Sequence, residues 1–419
     1  MPYRYDAALN MHVLGPGEPA LSEWRQAGLA LPDMAAVRHY RLQRVQAELR
    51  RRDIAAAVLV DPLNIRYASD STNMQLWTSH NAARYCFVAA DGPLIVFDYH
   101  DCEHLSAHNP LINEIRPACS WFYFSSGERL DGNAKTWAAE IADLVQQYGG
   151  DNRRLAIDKI NPEGAEALTA LGIAIENGEA LMEHARMVKC EEELKAMRCA
   201  IHACDSAIDV MRQHAHPGIS ENRLWAHLHA ENIVRGGEWI ETRILAAGPR
   251  TNPWFQESSS RPIQAGELMA FDTDLIGAYG CCVDISRTWL IGSNRPTAAQ
   301  QTLYDMAIAQ VQQNLTLIRP GMTWRELSEK SLIYCPDTYL HYSCLYHGVG
   351  LCDEYPSVTF PHLWKSGDDN NRVEAGMMLC VESYVGRRDG GEGMKYEEQV
   401  IVRENGAELI SHYPIGLTL

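Results

Sequence analysis

Acidic residues inside apolar, strand-like segments are the feature that most constrains how this chain folds. Asp272 and Asp274 follow an apolar run, and Asp284 lies in the next strand-like segment, beyond a glycine-containing turn. Side chains two apart on a strand point to the same side, and a hairpin centred near Tyr279 brings Asp284 opposite Asp274. Three such carboxylates raise one another's pKa unless a cation lies between them. The sequence therefore predicts a cation site at one end of a two-stranded ribbon.

Three further residues have the chemistry of metal ligands. Glu382 and Glu397 each lie in a strand-like segment, and His347 precedes Gly348, where the missing side chain permits close backbone approach. Five carboxylates and one imidazole suit two hard or borderline divalent ions, whose charge nearly balances that of the acids. For any one of these residues alone, a solvated turn acid or a satisfied core histidine is the competing interpretation. Taken as a set, the predicted metal ligands are Asp272, Asp274, Asp284, His347, Glu382 and Glu397.

Composition excludes several classes of partner. The chain has 419 residues and a formal net charge of −17, which argues against binding nucleic acid or an anionic membrane through bulk electrostatics. No apolar run approaches the roughly 18 residues that a membrane span needs, and residues 1–15 do not resemble a signal peptide. The twelve cysteines include no C-x-x-C pair, so we expect buried free thiols rather than disulfides. These features predict a cytoplasmic protein.

Length and apolar periodicity predict two domains, at residues 1–187 and 188–419. Helix-like spacing is predicted at 34–52, 134–147, 189–214, 221–236 and 298–317. Strands are predicted at 55–60, 84–89, 93–98, 155–158, 239–246, 268–276, 282–291, 377–385 and 394–402. The alternation of the two kinds of segment favours an α/β arrangement in the first domain. All six predicted metal ligands lie in the second domain.

The order and surroundings of these residues resemble a known superfamily. Segments 283–288, 347–351 and 397–400, with ligands in the order Asp, Asp, His, Glu, Glu, are similar to the pita-bread metallopeptidases. That superfamily includes prolidase, aminopeptidase P, methionine aminopeptidase and creatinase. The resemblance implies an α/β (α+β) fold class, with a creatinase-like N-terminal α/β domain followed by a pita-bread catalytic domain that holds the metals at its centre.

Two departures from the peptidase pattern argue against peptide hydrolysis. Trp254 stands where the peptidases carry a catalytic histidine upstream of the first aspartate. Asp353, in Asp353-Glu354-Tyr355-Pro356, stands where they carry a second histidine. Both residues that would handle protons in peptide hydrolysis are therefore replaced.

The altered pattern resembles one branch, the DddP-type dimethylsulfoniopropionate (DMSP) lyases, over nearly the whole chain. Segments 61–67, 71–77 and 236–242 are also similar to that branch. The resemblance implies a carbon–sulfur lyase that eliminates dimethyl sulfide from DMSP, leaving acrylate, at a dinuclear metal centre. Iron is the metal that it implies, and zinc, manganese and cobalt suit the same ligands. It also implies a homodimer and a small zwitterionic substrate.

The elimination gives roles to residues near the predicted ligands. A base must remove a proton α to the substrate carboxylate, and we expect Asp353 to do so. The leaving group is a sulfonium cation, which aromatic faces attract, and the resemblance implies substrate contacts from Tyr342, Trp254 and His347. Plain core packing is the competing interpretation for the two aromatic residues, and a turn acid is the competing interpretation for Asp353.

The alternative function is that of an Xaa-Pro dipeptidase or aminopeptidase, in which metal-activated water hydrolyses a peptide bond. A metal-free creatinase-like amidinohydrolase and a non-catalytic binding protein are two further alternatives. The complete set of five acids and His347 argues against both of them.

Overall fold

The structure is a computed structural model that describes residues 15–292, 295–367 and 370–418. Its chain divides into two compact units, one spanning 33–186 and the other comprising 15–32 and the described residues from 187 onward. The domain boundary predicted from the sequence places residues 15–32 in the first domain. The difference arises because Trp24, which is fully buried, stacks on Tyr279 of the second unit with the ring centroids 5.9 Å apart.

A six-stranded mixed sheet forms the centre of the first unit. From one edge to the other its strands are Ile112–Pro117, Leu94–Asp98, Tyr85–Ala89, Ala56–Leu59, Arg154–Ile157 and Ala174–Asn177. Three of these strands, Leu94–Asp98, Tyr85–Ala89 and Ala56–Leu59, are buried throughout. Their sequences are apolar runs except at Asp98, whose carboxylate is paired with Arg84. The helices of this unit are Met34–Arg51, Pro62–Ser69, Gln75–His80, Tyr123–Ser126, Leu130–Gly149, Pro162–Ala170 and Gly178–Arg186, with 3-10 turns at Glu103–Leu105 and Gly127–Arg129.

Two helices of the second unit begin where their sequences supply side-chain caps. The helix Glu221–Val234 begins after Ser220, whose hydroxyl accepts the Arg223 N–H at 3.3 Å. The helix Ala298–Leu315 begins with a capping box between Thr297 and Gln300. The other helices are Ala20–Gln26, Glu191–Gln213 and Trp324–Lys330, with 3-10 turns at Gly248–Thr251, Ala278–Gly280 and Pro361–Leu363.

Three sheets make up the strand framework of the second unit. The first contains Cys282–Val283, Leu275–Ile276 and Trp239–Ile240, and the second contains Ser286–Leu290, Leu268–Asp272 and Leu245–Ala247. The third runs in the order Asp353–Val358, Tyr346–Val349, Met378–Arg387, Gly393–Arg403 and Gly406–Leu409, and Tyr339–Leu340 pairs with Met378–Arg387.

The antiparallel pair Met378–Arg387 and Gly393–Arg403 is the longest in the molecule and lies in its interior. All residues of both strands are buried except the last of each. Its aliphatic side chains belong to two apolar clusters that also include residues from the helices Glu191–Gln213 and Ala298–Leu315. The charged side chains at the buried positions of this pair have little access to bulk water, so they need partners within the protein.

The predicted strands 239–246, 268–276 and 282–291 were wrong in one respect, because each is interrupted. Asp274 has a positive φ of 37°, which ends the regular strand after Asp272. The Thr273 hydroxyl donates to Val283 O at 2.8 Å and accepts the Ile285 N–H at 2.9 Å, in place of backbone ladder bonds. The ribbon therefore changes direction at the point where its aspartates converge, and its two halves belong to different sheets.

Within the described residues, none of the helices has the length and apolar character that crossing a lipid bilayer requires.

Candidate metal centre

The aspartate ribbon brings its three carboxylates together. Ser286 pairs with Asp272, and Val283 pairs with Leu275, so the hairpin turns about Tyr279 as predicted. One carboxylate oxygen from each of Asp272, Asp274 and Asp284 lies within 4.8 Å of the others. The Thr242 hydroxyl donates to Asp274 Oδ2 at 2.7 Å, which fixes the orientation of that carboxylate.

The two glutamates face each other across the long antiparallel pair. Glu382 is the direct cross-strand partner of Glu397, and both side chains are fully buried. Like charges in this position destabilise a sheet. A compensating positive charge must therefore lie beside them.

His347 joins the glutamates to the aspartates. A bulge between His347 and Gly348 turns the strand here, and a side chain at Gly348 would meet Glu354 O at 2.8 Å. The imidazole Nδ1 lies 3.0 Å from Gly348 O, and Nε2 lies 3.2 Å from Glu382 Oε1 and 3.3 Å from Asp284 Oδ2. If Nδ1 carries the proton, Nε2 offers its lone pair to a metal among the carboxylates.

The structure thus brings all six predicted metal ligands into one buried cluster. Ligand atoms of Asp284, His347 and Glu397 lie within 4.8 Å of one another, and Cys380 Sγ belongs to the same group. The sequence predicts that these residues share one site, and in the fold their side chains do lie together. Their assignment as metal ligands remains a prediction.

Burial and mutual repulsion dominate the electrostatics of the cluster. Burial, reinforced by neighbouring carboxylates, raises the pKa of both Asp274 and Asp284 well above the usual range. Burial and the charge of Glu397 raise the pKa of Glu382 to about 8. Glu397 differs, because Lys395 and His347 outweigh its burial and hold its pKa well below the ordinary value. Burial also raises the pKa of Asp272, so four of the five carboxyls need a cation nearby if they are to ionise.

Unpartnered oxygens show that the donor set fits divalent metal ions. Within the described residues, the buried atoms Asp284 Oδ1 and Glu397 Oε1 have no hydrogen-bond partner. A buried carboxylate oxygen without a partner costs about 1–3 kcal/mol or more. Both residues belong to the cluster that includes His347, and a mixed oxygen and nitrogen donor set is suited to iron, manganese, zinc or cobalt.

Asp353 lies at the edge of this cluster. Its carboxyl group lies within 4.8 Å of the Asp274 carboxylate and of Cys282 Sγ, and its Oδ1 is 3.7 Å from His347 Nδ1. Its side chain is 52% exposed, so it has access to solvent on one side. Desolvation on the other side raises its pKa, Glu397 adds to this effect and His347 opposes it.

The two aromatic residues predicted to contact the substrate differ in their surroundings. Trp254 is 6% exposed and stacks on Tyr384 at a centroid distance of 5.7 Å, so much of its surface is used in packing. Tyr342 packs against the same small cluster, and Lys395 Nζ lies 4.5 Å from the centre of its ring. Tyr342 therefore lies next to the charged centre, whereas Trp254 is a buried member of the apolar cluster.

Sequence reasoning missed Lys395, the fully buried cation of this site. Its Nζ lies 2.6 Å from Glu382 Oε2, 3.0 Å from Glu397 Oε2 and 3.2 Å from Asp272 Oδ2. The signal was present, because a lysine in an apolar strand two residues from Glu397 points to the same side and needs an acidic partner. Further polar residues around the cluster, which sequence reasoning also left out, are Thr242, Cys282, Ser286, Cys380 and Gln399.

Two family models match this chain, one for each part of it. Residues 195–404 match the family model for metallopeptidase family M24, and residues 41–198 match that for the creatinase/prolidase N-terminal domain. The chain thus has the two-domain architecture of the pita-bread metalloenzymes, and the predicted fold class is confirmed.

Two curated relatives narrow this class to one branch. The chain is 46% identical to the dimethylsulfoniopropionate lyase DddP of Roseovarius nubinhibens over 98% of its own length and 93% of the relative's. It is 43% identical to the protein of the same name from Roseobacter denitrificans, with the same coverage. The chain belongs to the DddP family of dimethylsulfoniopropionate lyases.

Solved structures of more distant proteins share the fold. The Xaa-Pro dipeptidase from Bacillus anthracis superposes with a TM-score of 0.72 at 21% identity, covering 90% of this chain and 99% of its own. The prolidase from Pyrococcus horikoshii gives 0.70 at 18% identity, again covering 90% and 99%. The structural similarities support the fold of this chain, and the two lyase relatives support its membership of the DddP branch.

Proposed function

We propose that this enzyme is a DMSP lyase that cleaves DMSP to dimethyl sulfide and acrylate by β-elimination, with Asp353 as the base at a dinuclear metal centre. Membership of the DddP family makes the chain a carbon–sulfur lyase. The observation that carries the proposed mechanism is the half-exposed Asp353 carboxyl beside the buried carboxylate cluster. A reaction that needs a base, and no activated water, suits this arrangement.

The predicted ligands fit two divalent ions between them. Asp272, Asp274, Asp284, His347, Glu382 and Glu397 would hold the ions, because they combine five carboxylates with an imidazole nitrogen. Bound ions would supply Lewis acidity that polarises the substrate carboxylate and stabilises negative charge at the α carbon. Iron is proposed from the family resemblance.

In the proposed reaction, Asp353 accepts the proton from the α carbon of the substrate. Its raised pKa increases its basicity when it is ionised, and its exposed side gives the substrate access to the carboxylate. As the Cα–H bond breaks, its electron pair forms the double bond of acrylate, and the C–S bond electrons leave with neutral dimethyl sulfide. His347 Nδ1 lies 3.7 Å from Asp353 Oδ1, so the proposed base is next to a predicted metal ligand.

The sulfonium end of the substrate needs an environment that favours a cation. Tyr342 and Trp254 are the proposed aromatic contacts, and a desolvated aromatic face contributes about 1–2 kcal/mol to binding a cation. The surrounding carboxylates add long-range attraction. The position of Tyr342 beside the charged centre makes it the stronger of the two candidates.

The proposal also includes a cytoplasmic location and a homodimeric assembly. The free cysteines of the described chain, eight of which are buried, support a reducing cytoplasm. A homodimer is proposed from the family resemblance, and light scattering on the purified protein tests it. A mass of one chain, about 47.0 kDa, would contradict the dimer.

Substrate assays distinguish the lyase from the peptidase alternative. Purified enzyme with iron restored would be incubated with DMSP, and dimethyl sulfide would be measured in the headspace alongside proline release from Xaa-Pro dipeptides. We expect dimethyl sulfide and no proline. Proline release without dimethyl sulfide would overturn the proposal.

A further inference from the structure

Glu354, the residue that follows Asp353, is buried and paired with a lysine. Consecutive side chains of the strand Asp353–Val358 face opposite sides, so Asp353 is exposed whereas Glu354 is buried. The Glu354 side chain has no exposed surface, and its Oε1 accepts a hydrogen bond from Nζ of the buried Lys189. A buried carboxylate needs such a counter-charge. The ion pair therefore fixes this strand on the side opposite to the Asp353 carboxyl group.

Lys189 is itself held in place through its backbone. Its N–H donates to Gly376 O at 3.0 Å, and its Nζ also donates to Met187 O at 3.3 Å. A side chain at Gly376 would meet Lys189 O at 3.1 Å, so the two segments are in close contact. Gly376 lies just before the strand Met378–Arg387, which carries Glu382. The lysine thus links the strand of the proposed base to the strand of a predicted metal ligand.

The Glu354 carboxylate also packs against the loop that leads to Asp353. A Cβ atom at Gly350 would lie 2.6 Å from Glu354 Oε1 and 2.8 Å from Oε2, so the carboxylate lies directly on the Gly350 backbone. Gly350 O accepts the Cys282 N–H at 2.8 Å, and the Gly350 N–H donates to Cys352 O at 2.9 Å. The start of the loop is therefore fixed by the same carboxylate that Lys189 holds.

We propose that Lys189 is a positioning residue for the lyase reaction: through its ion pair with Glu354 it holds the loop and strand that place the Asp353 carboxyl group beside the carboxylate cluster. The inference rests on the proposed role of Asp353 as the base. A base must lie within hydrogen-bonding reach of the proton that it removes, and a displacement of about 1 Å can slow a reaction about a hundredfold. Loss of the ion pair therefore slows proton transfer more than it weakens substrate binding.

Kinetics of the metal-loaded enzyme with DMSP test this role. Lys189→Met removes the counter-charge, and we expect kcat for dimethyl sulfide release to fall about tenfold to a hundredfold. The KM for DMSP should stay within about threefold of its original value, and the metal content should not change. With DMSP deuterated at the α carbon, the isotope effect on kcat should be at least as large as that of the unaltered enzyme, because proton transfer is the step that is slowed. Lys189→Arg keeps the charge and should retain more of the rate than Lys189→Met.

Arg235→Met is the matched control for the loss of an ion pair. Arg235 is a buried residue paired with Glu23 and Glu231, and none of the three is a predicted site residue. The variant should lower the melting temperature but leave kcat and the isotope effect unchanged. If it lowered kcat as much as Lys189→Met does, general destabilisation would explain both losses and the inference would be overturned.

The outcomes separate the inference from the proposed function. If Asp353→Asn keeps its rate, the proposed base is wrong, whatever the lysine variants do. If Asp353→Asn is inactive while Lys189→Met keeps the full kcat, or loses rate with a smaller isotope effect, only the inference is overturned. If Lys189→Met does not fold, Glu354→Gln serves instead, because it keeps the shape of the side chain and an acceptor for the lysine but removes the opposing charge. We then expect a smaller fall in kcat with the same isotope effect, and an unchanged kcat would again overturn the inference.

Discussion

Replacing Asp353 by asparagine removes the proposed base while keeping the shape of its side chain. General-base catalysis contributes about a hundredfold to ten-thousandfold to the rate, so we expect kcat for dimethyl sulfide release to fall by that factor. This corresponds to about 2.7–5.4 kcal/mol in the activation barrier, at about 1.36 kcal/mol for each factor of ten. Because the side chain is 52% exposed, the free energy of unfolding should change by no more than about 0.5 kcal/mol.

The assay combines turnover, metal content and stability on one preparation. Headspace chromatography gives the rate with saturating DMSP, elemental analysis gives ions per chain, and thermal unfolding gives stability. Asp389→Asn, at an exposed aspartate paired with Arg387, is the control and should retain the full rate. An Asp353→Asn enzyme that holds its metals and keeps more than a tenth of the kcat would refute Asp353 as the base.

Three further changes test the structure around the site. Arg287→Met leaves the Glu398 carboxylate buried without its ion partner and should cost about 3–5 kcal/mol, measured from urea unfolding; a loss below 1 kcal/mol would contradict this. Gly348→Ala places a methyl group 2.8 Å from Glu354 O and should cost about 1–3 kcal/mol, with weaker metal binding by titration. Burial lowers the pKa of His227, so as the pH falls below about 6.5 the unfolded chain takes up the proton first and stability is lost. His227→Gln should therefore flatten the dependence of melting temperature on pH between about 6.5 and 5.

The sequence predicted the acidic cluster because its members stand out locally. Asp272 and Glu382 lie in apolar strands, where an acid needs a counter-charge, and the turn near Tyr279 determines which residues meet. That reasoning depends on neighbours along the chain and on one hairpin register. It therefore predicted the meeting of the three aspartates without a tertiary structure, and their role as metal ligands stays a prediction.

What the sequence could not predict depends on long-range contacts. The break in the ribbon comes from a positive φ at Asp274 and from hydrogen bonds of the Thr273 side chain, neither of which has a periodic signature. The segment 15–32 packs against the rest of the second unit through Trp24. The residues that Trp24 packs against are far from it in the sequence. For Lys395 the sequence offers one partner, Glu397, two residues along the same strand, whereas Asp272 and Ser286 are identifiable as partners only once the strands are paired.

The central claim is that the buried acids are tolerated because metal ions neutralise them. Anomalous diffraction from crystals of the enzyme loaded with iron, collected at the iron edge, tests this most directly. We predict two anomalous peaks within bonding distance of the six residues Asp272, Asp274, Asp284, His347, Glu382 and Glu397. Crystals with ample iron but no peak among these side chains, and Lys395 as their only cation, would contradict the account.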